Sequence, residues 1–226
     1  MTARRALVTG CSSGIGETIT RRLLDDGWSV VGLARRRPAI EHERLGFVSV
    51  DLLDTAALSE AMSGIEPVDA IVHAAGVLRV GTLGEMDCDD GRLMWSLHVD
   101  AAARLVQHFA PTLPDGGRII LVGSRVAAGL AGRSLYAASK AALVGMARSW
   151  AAELAPRQIT VNVIAPGATD TPMLRDPKRS GSAPRMPPMG RLVKPEEVAA
   201  LAAFLLSDMA GSITGQQIVV CAGASL

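Results

Sequence analysis

Short apolar runs alternate with longer helix-period stretches along almost the whole chain, and few architectures accept that order. Residues 6–8, 29–34, 46–50, 68–73, 118–122, 159–164 and 217–220 read as strands rich in Val, Ile and Leu. Helical patterns fall between them, over 14–24, from an Asp54 cap to 62, over about 88–108 and over about 134–154. A last helix spans about 195–206, opened by Pro195 in the first turn with Glu196 and Glu197 at the positive end of the dipole. Such alternation implies a parallel sheet covered on both faces, and right-handed crossovers make it a doubly wound α/β fold of about seven strands. No repeat or interdomain linker interrupts it, so residues 1–226 read as one domain. Only 169–191, rich in proline and without periodicity, breaks the pattern and reads as a binding loop.

Composition narrows the function classes. Apolar residues make up 49% of the chain and charged residues 20%, with a formal net charge of +1, which argues against disorder and against a nucleic-acid partner. Aromatics are 3%, so aliphatic packing must carry the core. Cys11, Cys88 and Cys221 fit neither metal spacing nor an even disulfide framework, and no metal site is expected. No signal-type segment opens the chain and no apolar run reaches membrane-spanning length, so a cytoplasmic protein without a membrane partner is expected.

The first strand–helix junction reads Thr9-Gly10-Cys11-Ser12-Ser13-Gly14-Ile15-Gly16. Glycines there allow a tight turn and close ligand approach, and the helix N-terminus offers free N–H groups to a pyrophosphate. The second strand ends Ala34-Arg35-Arg36-Arg37. An acid at that end would bind a ribose 2′-hydroxyl, whereas Arg35 and Arg36 suit a 2′-phosphate, so NADP(H) is favoured over NAD(H).

Tyr136 is the single tyrosine of the chain, and Lys140 follows it by four residues, one helical turn away on the same face. A free phenol ionises near pH 10, and a neighbouring ammonium favours the phenolate, which suits general acid–base work. Ser124 precedes Tyr136 by twelve residues and follows a strand and a glycine, so it should emerge at the carboxyl end of the sheet.

Together, Gly-x-x-x-Gly-x-Gly, Ser124, Tyr136-x-x-x-Lys140 and Pro166-Gly167 resemble the short-chain dehydrogenase/reductase family over essentially the whole chain. The resemblance implies a Rossmann-type domain moving hydride between a nicotinamide and a carbonyl or alcohol. It implies that Tyr136 carries the proton, Ser124 holds the substrate oxygen, and Lys140 tunes Tyr136 and binds the nicotinamide ribose. Gly10, Ser12, Ser13, Gly14, Ile15 and Gly16 would line the phosphates, with Asp51 and Leu52 beside the adenine. Ala75 and Gly76 would lie along the cofactor, and Thr169 and Thr171 at its carboxamide and phosphates. A homodimer or homotetramer is also implied, through helices bearing Ala101, Ala102, Ala103, Ala141 and Ala142.

The chain departs from the family pattern in three places. His98, in Leu97-His98-Val99, stands where an asparagine usually completes the proton relay; it either joins the relay as an imidazole titrating near neutrality or only fills the space. Ala74-Ala75-Gly76 lacks the amide that usually braces the central strand, and Cys221-Ala222-Gly223 replaces Asp-Gly-Gly. Cys11, at a helix N-terminus, is open either to a lowered pKa or to burial as an inert thiol. Arg175, Lys178, Arg179, Arg185 and Arg191 make the 169–191 loop basic, which suits an anionic substrate, an acidic carrier protein, or simple solvation. The resemblance points to a small carbonyl or alcohol substrate, with carrier-borne 3-oxoacyl thioesters first. Sugar-alcohol or diol oxidation with NAD, and a dinucleotide sensor or scaffold with impaired catalysis, remain alternatives.

Overall fold

The computed structural model describes residues 3–176 and 185–226. Seven strands form one all-parallel sheet: β1 (Arg5–Thr9), β2 (Ser29–Ala34), β3 (Leu45–Ser49), β4 (Ala70–His73), β5 (Arg118–Val122), β6 (Thr160–Pro166) and β7 (Gln217–Val220). Their order is β3-β2-β1-β4-β5-β6-β7, so the winding reverses between β1 and β4. Ligands of such sheets bind in the crevice outside the carboxyl ends of the strands at that reversal.

Strand alternation sorts the apolar residues to two faces. Ala6, Val8, Val72, Ile120 and Ile164 meet α1 (Gly14–Asp25) and α6 (Pro195–Leu206), whose Ile19, Leu23, Val198, Ala202 and Leu205 are fully covered. Leu7, Ile71, Ile119, Leu121 and Val163 meet the opposite layer of α2 (Thr55–Ser63), α4 (Ala101–Phe109) and α5 (Ser134–Leu154), through Leu58, Leu105, Phe109 and Leu143. Local chemistry sets several boundaries. Asp54 caps α2, accepting from the Ala56 and Ala57 amides at 3.1 and 3.0 Å. Glu197 accepts from the Lys194 amide at 2.8 Å, closing the first turn of α6 behind Pro195.

The helix read over about 88–108 is broken in the structure. It consists of α3 (Cys88–Trp95), a π-helical segment Ser96–Asp100, and α4. The cause is a side chain from the sheet: His73, the last residue of β4, directs Nε2 to the Leu97 carbonyl at 3.1 Å. That carbonyl can accept but not donate, so Nε2 carries the proton and Nδ1 accepts from the Thr9 hydroxyl at 2.9 Å. Thr9 Oγ1 in turn accepts from the Ala74 and Ala75 amides at 3.1 and 3.2 Å. This buried Thr9–His73 pair ties the ends of β1 and β4 together at a point where the Ala74 side chain carries no polar group.

Ala101 and Ala102 point into the core rather than outward, correcting the expectation that they face a partner; Ala103, Ala141 and Ala142 retain exposure. Among the described residues, no helix is long and apolar enough to cross a membrane.

Replacing Thr9 by valine keeps its shape but strands two amides and the His73 acceptor. Thr9→Val is therefore expected to lower unfolding free energy by about 1–3 kcal/mol in urea titrations. Met209→Ala, at a side chain 85% exposed, should stay within about 0.5 kcal/mol.

Candidate active site

A cavity of about 1000 Å³ opens across the carboxyl ends of the strands. It is walled at one end by the β1–α1 turn and the tips of β2 and β3, and at the other by the segments following β4, β5 and β6. Gly10 adopts φ +68°, and a Cβ there would approach Ala75 Cα to 2.8 Å, so only glycine fits. Ser13 is the extended residue before α1 and makes no side-chain cap. The first amides of α1 are thus left to a ligand. Gly14 lies against Thr171, so the turn and the segment after β6 share one wall. Arg35 and Arg36 stand exposed at the tip of β2 with no carboxylate partner among the described residues, whereas Arg37 turns to the Phe47 ring at 5.9 Å. Asp51 is exposed and Leu52 buried on the same wall. A bare glycine cradle, free helix amides and two unpaired guanidiniums fit a nicotinamide dinucleotide.

At the other end, β5 and α5 bring three residues together. Ser124, Tyr136 and Lys140 are 7%, 9% and 3% exposed. Ser124 Oγ accepts from the Val126 amide at 3.1 Å, which leaves its own proton available to a ligand oxygen. Lys140 Nζ donates to the Val122 carbonyl at 2.8 Å and lies 6.0 Å from the centre of the Tyr136 ring. Among the described residues no carboxylate pairs with Lys140, and burial pushes its ammonium from the ordinary 10.5 down to about 7.

His98 is fully buried beside them, its ring edge-on to Tyr136 at 5.7 Å. The Val77 amide donates to Nε2 at 3.1 Å, so the proton sits on Nδ1 and is directed to Ser139 Oγ at 3.0 Å. Ser139 passes its own proton to the Tyr136 carbonyl at 2.9 Å. Desolvation, then the nearby Lys140 and His73, hold the His98 imidazole well below its ordinary pKa. Burial likewise takes His73 down to about 3. Of the two readings of His98, burial and its two fixed partners favour the space-filling one: both histidines are held toward the neutral form with one tautomer each.

Every residue singled out from the sequence for chemistry or cofactor contact lies on this one cavity, Ala75, Gly76, Thr169 and Thr171 included. Cys11 lies beneath the turn against Gly32, and burial raises its thiol to about 11, which removes the reactive-thiol option. In the basic loop, Arg175 is paired with Asp170 and Arg191 with Glu197, both at 2.7 Å, while Arg185 is exposed and lines the cavity. Lys178 and Arg179 lie outside the described residues. Sequence reasoning missed the Thr9–His73 brace, whose one signal was a histidine ending a strand beside the alanine that replaces the usual amide. It also missed Arg79, Arg125 and Arg133, which line the cavity beyond Ser124.

Comparison with known proteins agrees with this geometry. The sequence family described as enoyl-(acyl carrier protein) reductase matches residues 10–225. The chain is 36% identical to the 3-oxoacyl-(acyl-carrier-protein) reductase of Salmonella typhimurium, with 96% of each covered. It is 33% identical to the 2,3-dihydro-2,3-dihydroxybenzoate dehydrogenase of Escherichia coli, covering 97% of this chain and 96% of that one. A blue fluorescent protein from a metagenomic library, solved in complex with NADPH, superposes with a TM-score of 0.87 at 33% identity, over 99% of this chain and 98% of that one.

Neutral histidines have a measurable consequence. Below their ordinary value of about 6.5 the unfolded chain protonates these imidazoles and the folded chain does not. Stability should therefore fall from about pH 7 to about pH 5, by about 2 kcal/mol for each ring. Urea titrations at the two pH values should show a smaller drop in His98→Asn, by about that amount.

Proposed function

Because the chain belongs to the short-chain dehydrogenase/reductase family, whose members move hydride between a nicotinamide cofactor and a CH–OH carbon, we propose that it reduces a small carbonyl compound with NADPH. The observation that carries this reading is the buried Ser124, Tyr136 and Lys140 set sharing one cavity with the glycine turn. The nicotinamide, when bound, supplies or accepts the hydride at the reacting carbon.

The chain's own residues do the rest. Ser124 donates its free proton to the substrate oxygen and fixes its position. Tyr136 gives its phenolic proton to that oxygen during reduction and recovers it in oxidation. Lys140 has three donors, one directed to Val122; the other two are left for the ribose hydroxyls, and its charge favours the phenolate. A dinucleotide's phosphates in the same cavity favour the charged lysine. His98 transfers no proton; through Ser139 it holds the first turn of α5, and so Tyr136, in place. Arg35 and Arg36 take the 2′-phosphate, which makes NADP(H) the preferred form.

Relatives of comparable identity are named for carrier-borne 3-oxoacyl groups and for a free dihydroxylated ring acid. Both present an oxygen on a carbon that hydride chemistry can reach, and 36% against 33% identity supports the two substrate classes about equally. A homodimer or homotetramer belongs to the same reading, with Ala103, Ala141 and Ala142 on the exposed helix faces.

Tyr136→Phe should lower kcat for NADPH oxidation about 10²–10⁴-fold while NADPH still binds. Binding of NADPH with no oxidation on any of a panel of carbonyl compounds, acetoacetyl coenzyme A included, would instead favour a dinucleotide sensor. Replacing Arg35 and Arg36 by serine should raise the dissociation constant for NADPH about 10–100-fold and leave that for NADH unchanged. Equal effects on both cofactors would contradict the 2′-phosphate assignment.

A further inference from the structure

Ser124 is followed directly by Arg125, which opens a one-turn 3-10 segment, Arg125–Ala128, on the cavity wall. Arg125 is half-buried, its Nε is buried without a hydrogen-bond partner, and no carboxylate pairs with it among the described residues. Arg133, on the same wall, also has a buried Nε without a hydrogen-bond partner but is engaged by another contact, and Arg185 is exposed. Arg79 is shared between Asp90 at 3.3 Å and Asp176 at 3.6 Å, and Arg175 and Arg191 have their own acids. Among the described residues, the one acid on the cavity wall is Asp51, beyond β3 at the opposite end of the crevice from β5. A guanidinium partly removed from water and left without an anion is costly, and a planar fork of donors is suited to a carboxylate.

We propose that Arg125 anchors an anion subsite, and that the substrate is a small ketone or secondary alcohol carrying its own carboxylate close to the reacting carbon. This rests on the hydride-transfer reading and chooses among its substrate classes. Consecutive Cα atoms lie about 3.8 Å apart, so an anion on Arg125 stays within a side chain's reach of the oxygen held by Ser124. The phosphate of a carrier thioester is separated from its carbonyl by the whole pantetheine arm and falls outside that reach. The carboxylate recognised is therefore part of the reacting molecule itself.

The test compares NADPH oxidation on 3-oxocyclohexanecarboxylate, its methyl ester and the neutral acetoacetyl N-acetylcysteamine thioester. Wild type should prefer the acid over the ester and the thioester by at least about tenfold in kcat/KM. The acid-to-ester ratio should fall to about one in Arg125→Met, through KM, and recover in part in Arg125→Lys. Circular dichroism confirms that each variant is folded. An ester or thioester used as well as the acid, or a preference that survives Arg125→Met, overturns the subsite while leaving the hydride-transfer reading intact. Turnover of none of the three defeats that reading instead. Calorimetric titration of the NADP-bound protein with cyclohexanecarboxylate then decides the subsite: binding abolished in Arg125→Met upholds it, and no binding to wild type overturns it.

Discussion

A lysine buried without a carboxylate is the constraint around which this site is arranged. Lys140 sits on α5 with one proton on the Val122 carbonyl and, among the described residues, no acid to compensate its charge. An amine so placed resists protonation in the free protein, and its ammonium form attracts any anion that enters the cavity. It also shapes its neighbours, because its field adds to desolvation in keeping His73 and His98 neutral. Those rings can then serve as fixed donor–acceptor pairs instead of charges, and the hydrogen bonds around them acquire one unambiguous direction.

Two chains of such bonds converge on the chemistry. One runs from Thr9 through His73 to Leu97, joining the phosphate turn, the centre of the sheet and the π-helical segment. The other runs from Val77 through His98 and Ser139 to the backbone of Tyr136. Both meet at Ser96–Asp100, so the irregular turn is the joint between cofactor cradle and proton carrier.

What was legible in the sequence was what local chemistry decides. Asp54 and Pro195 with Glu197 open their helices by contacts within three residues, and the seven apolar runs became the seven strands. The glycine turn and the four-residue spacing of Tyr136 and Lys140 were readable because each follows from backbone geometry alone. What stayed hidden depends on partners distant in sequence. The π-helical segment exists because His73 reaches Leu97 from 24 residues away, and that distance is invisible to helix periodicity. Arg175 and Arg191 read as available in the sequence, whereas Asp170 and Glu197 hold them; Arg125 drew no reading there, and its lack of a carboxylate partner among the described residues is a property of the fold. Ala101 and Ala102 were small enough for either a core or an interface, and only packing assigned them to the core.

The most direct test is to follow the Lys140 side chain itself by nuclear magnetic resonance as pH is raised in the cofactor-free protein, with Lys140→Met identifying the signal. A lysine buried without an acid should lose its proton near pH 7 and regain it at a given pH when NADP is added. Titration near the ordinary 10.5, unmoved by NADP, would mean that its charge is solvated or paired and would contradict the account.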